Sequence, residues 1–194
     1  MKKAKMYSEY SVATMGNNAK VYGAKVLTMV NNNKPVEMTD SYNWGDYLED
    51  VYRQYIGRVS KDTNGNTDTA NGIEIKVLHR YTDSKGKQQK PGCNGYQWNG
   101  NTDIATDFVD TVFGSHGAKT LVVFELFTDG YNGNALSIVR YRFSKAEKQQ
   151  AIEFASMCAF YDGHKNQVRL QCPVQSAKTH TNKMLNNYTM VTTL

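Results

Sequence analysis

The run Leu121-Val122-Val123-Phe124-Glu125-Leu126-Phe127 is too apolar to lie on a surface, and it constrains the chain more than any other segment. Asp129-Gly130-Tyr131-Asn132-Gly133-Asn134 turns it into Ala135-Leu136-Ser137-Ile138-Val139-Arg140-Tyr141-Arg142-Phe143, so the two segments read as a central pair of strands. A third strand precedes them: in Gly72-Ile73-Glu74-Ile75-Lys76-Val77-Leu78-His79 the residues Ile73, Ile75 and Val77 share one face, and Glu74 and Lys76 share the other. Helices fill the gaps. Trp44, Tyr47, Leu48, Val51, Tyr55 and Ile56 recur at three- and four-residue steps and predict a helix that Gly57 closes. Ile104, Phe108 and Val112 predict a second over Asp103–Phe113, ended by Gly114, and a Ser144/Glu147 capping box opens a third that runs through Met157. Lys85-Gly86-Lys87 reads as a hairpin tip, Lys90-Pro91-Gly92-Cys93-Asn94-Gly95 as another turn, and short strands are expected around Asp162-Gly163-His164-Lys165. The first forty residues mix short apolar groups with polar breaks and fit helix or strand equally. The order of elements implies a mixed α/β domain, one central sheet flanked by helices.

With 194 residues the chain has the size of one domain. Lys and Arg number 23 against 18 Asp and Glu, a formal charge of +5, which favours a polyanionic partner. Cys93, Cys158 and Cys172 are odd in number and widely spaced, which fits neither a disulfide framework nor a zinc site. Met1-Lys2-Lys3 leads into no apolar stretch of signal-peptide length, and no segment has the length and hydropathy of a membrane span. The expected location is the reducing cytoplasm.

The strand carrying Glu74 and Lys76 is where the sequence points to chemistry. Hydrolysis of a phosphodiester needs a cation to offset charge in the transition state, an activated water, and carboxylates that hold the metal while leaving positions open for substrate. Side chains two apart on a strand project together, so Glu74 and Lys76 would enter one cleft, and the polar loop before them would deliver Asp68. Asp68, Glu74 and the Ile75 carbonyl are then the expected ligands of Mg2+. Lys76 is left to orient or deprotonate the water, or to neutralise developing charge. Glu49, on the upstream helix, is a further acidic candidate, and Asp62 is a rival to Asp68. Taken alone, a Glu-x-Lys pair is also what the solvated face of an ordinary amphipathic strand offers.

Three collinear matches go further. Gly65-Asn66-Thr67-Asp68 followed by Gly72-Ile73-Glu74-Ile75-Lys76, the upstream Trp44-Gly45-Asp46-Tyr47-Leu48, and Asp162-Gly163-His164-Lys165 with Cys172-Pro173-Val174 resemble, in order, segments of a type II restriction endonuclease of the PD-(D/E)xK nuclease superfamily. The resemblance implies a restriction-endonuclease-like fold and Mg2+-dependent, sequence-specific cutting of double-stranded DNA by a two-fold homodimer. It also implies a dimerisation region over 1–60, a catalytic core over 61–143, a DNA-recognition region over 144–194, and the possibility of a separately encoded cognate methyltransferase. His164 and Lys165 inherit DNA contact from it. Two departures stand out: the loop between Asp68 and Glu74 is shorter, and the paired asparagines that read bases are replaced by Val168 and Arg169. Arg169 can bond guanine O6 and N7, contact a phosphate, or sit in solvent. Lys85 and Lys87 suit a phosphate-contacting loop, against a plainly solvated hairpin. Tyr96 and Trp98 suit packing better than stacking on DNA, and His79 and His116 receive no role. The competing function is a basic nucleic-acid-binding protein without catalysis, such as a phage accessory factor, which would place no demand on Asp68, Glu74 or Lys76.

Overall fold

The structure, a computed structural model, describes residues 27–93, 95–98, 100 and 102–172 and the backbone of 188–193. The expectations for the first 26 residues, and for Pro173 and Val174 in the third sequence match, lie outside the described residues.

Strands β1 (Ile73–Thr82), β2 (Gln88–Gln89), β4 (Thr120–Thr128), β5 (Ala135–Ser144) and β8 (Tyr188–Thr193) form a sheet in the order β2-β1-β4-β5-β8. β1 runs parallel to β4, with Glu74 opposite Leu121 and Lys76 opposite Val123, and every other pairing in the sheet is antiparallel. The apolar run of β4 is buried because it lies between β1 and β5 and is covered on both faces. On one face, Ile73, Ile75, Val77, Val122, Phe124, Leu126 and Ile138 pack with Trp44, Leu48 and Val51 of helix α1 (Trp44–Val51) and with Leu27 and Val30 of a helical segment over 27–33. On the other, Leu78, Leu121, Val123, Tyr141 and Phe143 pack against helices α2 (Ile104–Asp110) and α3 (Lys148–Cys158).

The helices follow the sequence periodicity, with two refinements. α1 starts at a capping box in which Asn43 accepts the Gly45 N–H at 2.7 Å while Asp46 accepts the Asn43 N–H at 2.9 Å. Both α1 and α2 then widen into π turns, over Tyr52–Ile56 and Thr111–Ser115, so each helical stretch exceeds its regular α part. The Ser144/Glu147 capping box is present and opens a 3-10 turn ahead of α3.

One sheet was expected and there are two. β3 (Tyr96–Gln97), β7 (Gln167–Leu170) and β6 (Ala159–Asp162) form a separate antiparallel sheet in the order β3-β7-β6. The reason is packing: Val168 and Leu170 of β7 are buried in the α2–α3 core, so the hairpin lies over that core instead of extending the central edge. Gly95 makes the contact with β3 possible, because a Cβ there would come within 1.7 Å of the Val168 carbonyl oxygen. Among the described residues, no helix is long and apolar enough to cross a membrane.

Candidate active site

The polar loop between α1 and β1 is pinned at several points. Ala70 N–H donates to the Ser60 carbonyl at 2.9 Å, and the buried Thr69 hydroxyl accepts the Ile73 N–H at 2.9 Å. Gly72, with φ of +80°, makes the left-handed step into β1, and its carbonyl accepts the Lys119 N–H at 2.8 Å at the head of β4. This geometry sets Asp68 beside the strand, where its Oδ2 accepts the Ile75 N–H at 2.6 Å. The contact lies on the edge of β1 away from β4, which β2 covers only at Tyr81 and Thr82. The N–H and C=O of one residue leave an extended strand on the same side, so the Ile75 carbonyl opens onto the same uncovered edge.

Glu74 and Lys76 project together, as their spacing requires. Glu74 is only 3% exposed, and its Oε1 accepts bonds from Lys76 Nζ at 2.7 Å and from the Tyr96 hydroxyl at 2.5 Å. Lys76 Nζ also lies 5.2 Å from the centroid of the Tyr96 ring. On the other side, His116 Nδ1 stands 3.8 Å from Glu74 Oε2, and its ring meets Tyr96 edge-on at 4.6 Å. Tyr96 and His116 are the partners that sequence reasoning missed. Tyr96 arrives from the second sheet and His116 from the turn before β4, and no periodicity or spacing links either to Glu74.

Charge is concentrated here and poorly solvated. Burial, then the neighbouring Glu74, raises the Asp68 pKa above the ordinary aspartate range, against Lys76 and Arg53. Burial, then Asp68, pushes Glu49 up to about 7. Burial alone would lower the Lys76 pKa, yet Tyr96, Glu74 and Asp68 outweigh it and hold the ammonium raised above the usual lysine value. Arg53, in the π turn after α1, ties the group together: its Nη1 is 3.5 Å from Glu49 Oε2 and donates to the Asp68 carbonyl at 3.4 Å, and its Nη2 pairs with Asp50. A cleft of about 280 Å3 opens beside this cluster, bounded by the start of α1 including Glu49, by Ile75, Lys76 and His79 of β1, and by Pro91–Cys93.

The structure therefore groups Asp68, Glu74, Ile75, Lys76 and Glu49. Asp62 does not join them: it lies in the exposed part of the loop, where its carboxylate accepts the Asn64 and Thr67 N–H groups at 2.9 and 3.1 Å, and these bonds lower its pKa. Arg169 is also corrected. Its guanidinium donates to the Gly92 and Cys93 carbonyls at 2.7 and 2.9 Å and to Asp162 Oδ2 at 2.8 Å, so it clamps the loop that carries Tyr96 and does not present a free fork to guanine. His164 and Lys165 sit exposed in the β6–β7 turn, and Lys85 and Lys87 in the β1–β2 turn, which Asp83 holds by accepting both lysine N–H groups at 2.9 Å. His79 is buried, shares a 2.8 Å hydrogen bond with the Thr128 hydroxyl, and has its pKa lowered by burial to about 4.

No protein-family model matches the chain, and no curated protein matches it. Among the described residues, no group of three or more His, Cys, Asp or Glu side chains is arranged to hold a metal ion.

Proposed function

We propose that the protein is a Mg2+-dependent DNA endonuclease of the PD-(D/E)xK type, making sequence-specific double-strand cuts as a restriction enzyme does. One observation carries the reading: Asp68 is bonded to the main chain between Glu74 and Lys76, at an uncovered strand edge whose Ile75 and Lys76 border a cleft with Glu49. An ordinary solvated strand face would not bury Glu74 or set Asp68 beside it, with Glu49 in turn beside Asp68, at a cost in charge repulsion.

The residues fit a magnesium ion. It takes hard oxygen donors, commonly one or two carboxylates with the remaining positions left to water and phosphate. Asp68 Oδ1 and Glu74 Oε2 have no hydrogen-bond partner among the described residues, and the Ile75 carbonyl faces the same edge. A bound ion there would supply Lewis-acid stabilisation of the pentavalent phosphorus and lower the pKa of a coordinated water. The chain's own groups have distinct tasks. Lys76, paired with Glu74 as an ammonium, serves to neutralise charge on a phosphate oxygen or to orient the attacking water. Tyr96, kept neutral by burial, and Lys76 together fix Glu74 through Oε1, which leaves Oε2 for the site. Glu49 titrates near neutrality and is the group best matched to hold a proton from the attacking water.

The test compares cutting with binding. Glu74→Gln and Asp68→Asn should each lose Mg2+-dependent cleavage by about three orders of magnitude, the several kcal/mol that metal-assisted stabilisation supplies, while DNA retention in a gel persists. If both variants cut as the parent does, Asp68 and Glu74 are not the catalytic groups; a parent that retards DNA and never cuts it is a binding protein without catalysis.

A further inference from the structure

The geometry points to His116 Nδ1 as a nitrogen donor that shares an ion with Glu74 Oε2, a pair of side chains with water at the remaining positions, so that the site takes first-row transition metals more tightly than magnesium. This inference rests on the metal-binding reading above. His116 Nδ1 is buried and has no hydrogen-bond partner, yet it faces Glu74 Oε2 at 3.8 Å. That separation is too long for a hydrogen bond. It falls within the span of two donors on one ion, since atoms each about 2.1 Å from a metal stand roughly 3 to 4.2 Å apart. Glu74 Oε1 is already committed to Lys76 and Tyr96, so the oxygen turned toward His116 is the one left to bind. The His116 ring is also held in place by its edge contact with Tyr96. Neutral imidazole suits Mn2+, Co2+ and Ni2+ better than Mg2+, which prefers oxygen, so a mixed carboxylate–imidazole pair shifts preference along the transition series.

The test reads metal binding directly, without DNA. The full-length protein is titrated with cobalt chloride and followed by visible absorption and calorimetry, alongside His116→Ala, His116→Gln and Glu74→Ala. The parent should bind Co2+ more tightly than Mg2+, with a ligand-field band that both His116 variants alter and an affinity that both weaken by about tenfold or more. Magnesium affinity should change much less. His116→Gln keeps a group able to bond Glu74, so a purely structural role for His116 would leave its cobalt band and affinity at the parental values. That result, or a parent that binds no Co2+, overturns the inference. Cobalt binding that depends on His116 in a protein that never cuts DNA would uphold the inference and remove the nuclease reading, so the two fail separately.

Discussion

The Glu49 carboxyl shows what gathering acids around β1 costs. Its pKa of about 7 against an ordinary 4.5 means that the fold prefers the neutral acid, because ionisation must occur out of water and beside Asp68. The contribution of Glu49 to stability is therefore fully present below about 4.5 and is lost as the pH rises through about 7. Glu49→Gln should raise stability at pH 8 by ~1–2 kcal/mol and change it little at pH 4, as measured by denaturant unfolding at both values. An equal effect at the two pH values would show that Glu49 titrates alike in the folded and unfolded chain and that its environment is wetter than the geometry implies. A polar cluster that would be more stable without one of its acids is the pattern expected of a binding or reacting site.

Elements differ in how plainly the sequence announced them. β1, β4, β5 and the three helices follow from period-two and period-3.6 patterns and from caps such as Ser144 with Glu147, because local packing decides them. The pairing of Glu74 with Lys76 was legible because spacing along a strand fixes which side chains share a face, whereas Asp68 comes from the loop before β1, where spacing left Asp62 as its rival. The second sheet was not, since β3 has two residues and its position depends on a tertiary contact, the passage of Gly95 over the Val168 carbonyl. Tyr96 was read as a packing residue for the same reason, and Arg169, left open between guanine, phosphate and solvent, gives two bonds to the loop at Gly92 and Cys93 and one to Asp162. The contact can be broken on purpose. Gly95→Ala should destabilise the protein by about 1–3 kcal/mol and lift Tyr96 away from Glu74, so cleavage should fall by more than stability alone explains. Thermal unfolding and activity measured on the same preparation would check this; unchanged activity in a folded variant would mean that Tyr96 has no part in the site.

At the level of the full chain, the +5 charge and the exposed lysines of the two turns are what the proposed DNA substrate would meet as electrostatic attraction. Lys85→Glu with Lys87→Glu should weaken DNA binding across all sequences and lower the slope of log K against log salt by about one for each lysine that touches a phosphate. A slope equal to the parent's would assign those lysines to solvent. A palindromic DNA site offers the same groups to two subunits, so one active site per strand accounts for a double-strand break, and a two-fold dimer is part of the proposal. The nuclease reading itself stands or falls on one experiment: incubation of the purified protein with unmethylated phage and plasmid DNA at low salt, with magnesium or with chelator, resolved on a gel. Discrete fragments that need magnesium and vanish in Glu74→Gln are the predicted result. Intact DNA on every substrate, with a retarded band in chelator, would be the opposite result and would leave a DNA-binding protein that does not cut.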